Sequence, residues 1–208
     1  MDVAFGLKAH SGWAALVALG REGRALRVVE RSRVELTRPE DAYWAKQPYH
    51  AADGLAREDA HDVVRRGIAS ARELAASELR KTAEDAAAKG HAVRACAVLV
   101  GSPMPGWSVD EVLAVHFRMH KAEGELFRDA LLRGGEACGL PTLPIPEKEL
   151  ARRAGSALRR SEAEIQEQLA ALGKSAGSPW GRDQKDAALA AWIALSSPLK
   201  TPARSTPR

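Results

Sequence analysis

Between two long helical patterns the sequence carries Arg94-Ala-Cys-Ala-Val-Leu-Val-Gly101, an apolar run of strand length that ends on glycine. A strand with one solvated face alternates apolar and polar residues, so an uninterrupted run suits a central strand covered on both faces. A sheet built around it needs a helical layer on each side.

The flanking patterns supply those layers. From Leu55 to about Lys89, residues such as Val64, Ile68, Ala71, Ala75 and Leu79 recur at helical spacing, and Gly90 is available to end the helix. Asp110 to about Cys138 reads as a second long helix closed by Gly139. Ahead of them, the apolar runs Val3–Leu7 and Trp13–Leu19 are separated by the polar segment Lys8–Gly12, and an extended stretch, Ala25–Leu36, follows Gly20-Arg-Glu-Gly23. This is the pattern of a three-stranded antiparallel meander. Broken alternation in the third stretch, around Val29 and Val34, predicts a bulge or an edge strand.

Residues 37–55, with Trp44, Tyr49 and His50, form a connection long enough to be functional or to be packed by its own aromatics. Toward the C-terminus, Pro141–Ile145 reads as a short strand whose prolines suit an edge or a strand start. Two helices follow, Pro146–Ala154 and Ser161–Leu172, the second opened by the capping-box pattern Ser161-Glu-Ala-Glu164. A loop, Gly173–Gly181, leads into an amphipathic helix, Arg182–Leu195. The expectation is an α/β domain over residues 1–196 with a mixed five-stranded sheet, its first three strands antiparallel, and a disordered, basic, proline-rich tail at 197–208.

Charge narrows the function little. The net charge of the 208 residues is +4, but three of those four charges are Lys200, Arg204 and Arg208 in a tail without acids. The body is therefore almost neutral, and the high isoelectric point is weak support for phosphate binding. Cys96 and Cys138 lack the CxxC spacing of a redox or zinc motif and read as reduced thiols. No signal-peptide pattern opens the sequence and no apolar run approaches the roughly 18 residues that span a bilayer, so a cytoplasmic protein without a membrane partner is expected.

Near the C-terminus, Arg182-Asp-Gln-Lys-Asp-Ala-Ala-Leu189 places Asp183 and Asp186 three residues apart, on one face of a helix. Two carboxylates converging there would take a hard cation such as Mg²⁺ or Mn²⁺. The alternative is an acid favoured by the helix dipole beside an ordinary surface charge.

This segment is similar to the closing motif of the RuvC-type Holliday-junction resolvases. The opening Ala4-Phe-Gly-Leu-Lys-Ala-His-Ser-Gly-Trp-Ala14 resembles their first hairpin, and Glu149–Leu172, with Ser161 and Ile165, resembles their linker and following helix. The element order is likewise that of the ribonuclease H-like fold, and the resemblance implies structured or branched DNA, or a second copy of the chain, as partners. The match is degenerate at the site: Lys8 stands where the family has a metal-binding aspartate, Gly101 ends the strand that carries a catalytic glutamate, and Glu162 replaces a basic residue. Two-metal phosphodiester cleavage needs several anionic ligands, so two missing carboxylates predict its loss. Lys8 could place its ammonium near Asp183 and Asp186 in place of a cation.

A second group lies on the middle helix. With Val112 at the origin, His116, Glu123 and His120 fall at about 40°, 20° and 80°, within the apolar arc. Buried unpaired they would each cost a few kcal/mol, which implies a hydrogen-bond network, a substrate or partner cleft, or a metal site. Arg159 and Arg160 offer either a phosphate contact to such a cleft or a solvated face diluted by neighbouring glutamates.

Two function classes follow. One is a degenerate RuvC-like protein that binds nucleic acid or a protein partner without cleavage. The other is an active divalent-metal-dependent nuclease or hydrolase with a non-standard ligand set, drawn from Asp183, Asp186, His116, His120 and Glu123.

Overall fold

The computed structural model describes residues 1–23 and 25–197; the tail expected to be disordered lies, from residue 198 on, outside the described residues. The chain opens with β1 (Asp2–His10), β2 (Trp13–Glu22) and β3 (Ala25–Glu35), the expected meander. Pairing continues beyond the first apolar run, with Lys8 opposite Ala15 and His10 opposite Trp13. Lys8 is thus a strand residue, and the connection shrinks to Ser11 and Gly12, the latter at φ 81°. The expected bulge is present: Ala18 pairs with Glu30 and Leu19 with Val28, leaving Val29 as the extra residue.

β4 (Ala92–Val100) is the doubly covered strand. It pairs parallel to β1 on one side and to β5 (Thr142–Pro146) on the other, giving the order β3-β2-β1-β4-β5. Residues 37–55 fold into a 3-10 turn at Pro39–Asp41 and two short helices, α1 (Ala42–Ala45) and α2 (Pro48–Ala52), ahead of α3 (Arg57–Ala88).

The helix expected from Asp110 to Cys138 is two helices, α4 (Val109–Leu113) and α5 (His116–Ala137). Val115 between them is extended, at φ −142° and ψ 113°, and the Arg118 guanidinium donates to the Glu111 carbonyl that the break exposes. A single helical wheel from Val112 therefore does not describe α5. After β5 come a 3-10 turn at Glu147–Glu149, α6 (Leu150–Leu158), α7 (Glu162–Ala176), opened by the reciprocal Ser161–Glu164 capping box, and α8 (Arg182–Ser196).

The period-2 alternation of β1 divides the core. Val3, Phe5 and Leu7 pack with α3 and α5, whereas Ala4 packs with α6, α7 and α8 on the other face. Gly6 lets α8 lie directly on the sheet, since a Cβ there would stand 1.9 Å from the Ala187 carbonyl oxygen. Lys8 and His10 continue this second face toward the N-terminus of α8.

Candidate functional site

Where β1 and β4 end, the first polar cluster forms. Lys8 is 8 % exposed, and its Nζ lies 2.6 Å from Asp186 Oδ2 and 3.4 Å from Asp183 Oδ1. His10 Nε2 is 2.9 Å from the other Asp183 oxygen, while its ring stacks on Trp13 at 4.3 Å. The spacing of Asp183 and Asp186 does put both carboxylates on one face of α8, and what lies between them is the Lys8 ammonium. Burial by itself would lower the Lys8 pKa, but the hydrogen bond and charge of Asp186, with Glu147 and Asp183 adding to them, leave it raised above its ordinary value.

Gly101 follows the end of β4 without a carboxylate. The Arg128 guanidinium from α5 covers it, with Nη1 2.8 Å from where a Cβ would be, and reaches Glu147 Oε1 at 3.4 Å. Arginine thus occupies the surroundings of the second position at which the sequence lacks an acid. His10, Arg128 and Glu147 were not singled out from sequence. For His10 a signal exists, because it lies two residues from Lys8 on the same strand face; nothing local marks the other two.

The second cluster lies on the opposite face of the sheet. α5 runs antiparallel to β4, with Gly124 beside the arginine that covers Gly101 and Gly135 packed on Cys96, so its N-terminus projects past the end of β4. There His116 and His120 meet with ring centroids 4.6 Å apart, and His50 from α2 joins them at 5.3 Å and 4.6 Å. One ligand atom from each of the three rings lies within 4.8 Å of the others. His116 and His120 are exposed and His50 is half-buried.

Glu123 is 3 % exposed and stands behind His50. Its Oε1 accepts from the backbone N–H of Tyr49 at 2.8 Å and of His50 at 3.2 Å, and lies 3.2 Å from His50 Nδ1. Burial pushes its carboxyl up to about 7, against the pull of those two backbone donors. Glu123 is therefore the buried anchor of residues 48–50, and the third member of the histidine group is His50, from a segment without periodic pattern.

Arg159 and Arg160 share no cleft with the histidines. Arg159 ends α6 in the left-handed conformation at φ 53°, and Arg160 lies over the Trp192 ring of α8 at 5.7 Å, on the Lys8 face. Among the described residues no helix is long and apolar enough to cross a membrane.

No family model matches the sequence, and no curated protein matches it. Among the solved structures that resemble it, two are similar over nearly the whole length. Thermus thermophilus RuvC has 13 % identity and a TM-score of 0.49, covering 92 % of each chain. T. thermophilus RuvC in complex with Holliday junction substrate has 10 % identity and a TM-score of 0.53, covering 92 % of this chain and 91 % of that one. With the five-stranded order above, the second likeness shows the RuvC-like, ribonuclease H-like fold.

Proposed function

We propose that this RuvC-fold protein binds structured or branched nucleic acid without cutting it. The observation that carries the reading is the Lys8 ammonium between Asp183 and Asp186. Metal-assisted cleavage needs dications to polarise the phosphate and generate hydroxide. An ammonium offers positive charge without an open coordination position. With Arg128 over Gly101, cations stand at both positions where the resemblance to the resolvases calls for acids. Mg²⁺ or Mn²⁺ would reach Asp183 and Asp186 only by displacing Lys8. The fold likeness to a RuvC bound to Holliday junction substrate supports branched DNA as the ligand class.

The test is a four-way DNA junction incubated with the protein, with and without Mg²⁺ or Mn²⁺. Salt-sensitive retention that needs no divalent ion, with the DNA intact, is expected. Metal-dependent cleavage that disappears in Asp183→Asn/Asp186→Asn would overturn the reading in favour of an active nuclease. Lys8→Asp should gain Mn²⁺ binding.

Charge supports a protein partner as the second reading. Without the three basic residues of the tail, the chain carries 28 basic and 27 acidic side chains, so any attraction for phosphate must be local. Absence of salt-sensitive retention of the junction would favour it.

A further inference from the structure

We propose that His50, His116 and His120 form a binding site for a first-row transition-metal ion, Zn²⁺ being the ion their chemistry fits best, with Glu123 as the positioning residue of His50. The site is separate from the Lys8 cluster and independent of the reading that no nucleic acid is cut.

Three imidazoles suit Zn²⁺, Co²⁺ or Ni²⁺ and offer nothing to Mg²⁺ or Ca²⁺, which demand oxygen. Tetrahedral Zn²⁺ with Zn–N bonds of about 2.0–2.1 Å holds its nitrogens roughly 3.4 Å apart. The nitrogens here already lie within 4.8 Å of one another. Closing the difference needs only side-chain rotation in His116 and His120, which are exposed and one turn apart at the start of α5.

His50 is held from behind. With Glu123 ionised, its Oε1 accepts from His50 Nδ1, which puts the ring proton on Nδ1 and the lone pair on Nε2. That Nε2 is buried and has no hydrogen-bond partner among the described residues. An unsatisfied buried nitrogen is a free-energy penalty that coordination removes. A ligating histidine whose other nitrogen donates to a carboxylate is the arrangement that orients the ring and raises its basicity. When ionised, Glu123 also supplies a negative charge behind a dication bound by three neutral rings. Because His116 and His120 are exposed, the fourth position opens to solvent and takes water or an external ligand.

The full chain, without a histidine tag and stripped with chelator, is titrated with Co²⁺ alone, and Zn²⁺ is then added as competitor. Visible absorption of tetrahedral Co²⁺ at one ion per chain, displaced by Zn²⁺, is expected, together with a Zn²⁺-dependent rise in Tm. The double variant His116→Ala/His120→Ala, whose fold is checked by circular dichroism, should lose both signals. Glu123→Gln should weaken binding by about 10–100-fold. Asp183→Asn/Asp186→Asn should keep both signals. Wild-type protein that shows neither signal overturns the site, as does binding that survives the double histidine variant or vanishes in the aspartate variant. Unchanged affinity in Glu123→Gln overturns the role given to Glu123.

Discussion

Lys8 Nζ and Asp186 Oδ2 lie 2.6 Å apart across 178 residues of sequence, one on the second-face register of β1 and the other one turn into α8. Removing the cation should leave Asp183 and Asp186 facing each other with only His10 and the exposed Arg182 beside them. Because both acids keep about a third of their exposure, the cost is smaller than for a fully buried pair. Lys8→Met should lose about 1–3 kcal/mol in urea unfolding, and the further change to Asp186→Asn should restore part of it. Equal stability of Lys8→Met and wild type would show the ion group to be energetically idle.

The same pair sets an alkaline limit. The Lys8 pKa is raised above 10.5 in the folded protein, so its charged form stabilises the fold fully below 10.5, and that contribution is lost as pH rises through the raised value. The stability difference between wild type and Lys8→Met should be flat from neutral pH to about 10 and shrink beyond it. A difference that already shrinks between about pH 7 and 9 would assign the effect to other groups.

Gly6 controls whether α8 can reach β1 at all. A Cβ there would stand 1.9 Å from the Ala187 carbonyl oxygen and 2.7 Å from the Ala191 nitrogen, both backbone atoms that no rotamer change can move. Gly6→Ala should cost at least about 3 kcal/mol, while Gly106→Ala, with nothing within 4 Å, should change stability by less than about 0.5 kcal/mol. Chemical denaturation of the two variants side by side checks this, and a mild effect at Gly6 would contradict the close packing of α8 on the sheet.

Helix α7 depends on its first turn. Ser161 Oγ accepts from the Glu164 backbone N–H at 3.3 Å, and the Glu164 carboxylate accepts from the Ser161 N–H at 2.8 Å. Ser161→Ala should lower stability by about 1 kcal/mol, measured by thermal unfolding, with no change in Co²⁺ binding at the histidines.

The two thiols should separate by reactivity. Burial pushes the Cys96 thiol up to about 12, whereas Cys138 is only partly buried, though burial raises its pKa as well. A thiol reagent at about pH 8 should modify Cys138 first and Cys96 only after unfolding, because the thiolate is the reacting species. Equal labelling rates in peptide mass spectra would contradict the doubly covered position of β4.

Much of this architecture is legible in the residues themselves. The unbroken run at 95–100, the bulge at Val29 and the Ser161–Glu164 box act through neighbours in sequence, so their periodicity and spacing report them directly. The break at Ala114–Val115 is invisible to the same reasoning, since apolar spacing continues across it and a carbonyl contact from Arg118 stabilises the interruption.

The site divides in the same way. By itself the sequence determined the strand and helix order, the ribonuclease H-like resemblance, and three separate facts: a lysine for an aspartate at position 8, two acids three residues apart at 183 and 186, and two histidines four apart at 116 and 120. Only the tertiary structure decided what these residues meet. It put Lys8 between the acids because Gly6 and the alanines of α8 let backbone approach backbone, and it brought His50 to His116 and His120 because buried Glu123 holds residues 49 and 50 by their amides. Such partnerships depend on packing between segments far apart in the chain, and the short-range periodicity of a sequence carries no record of them.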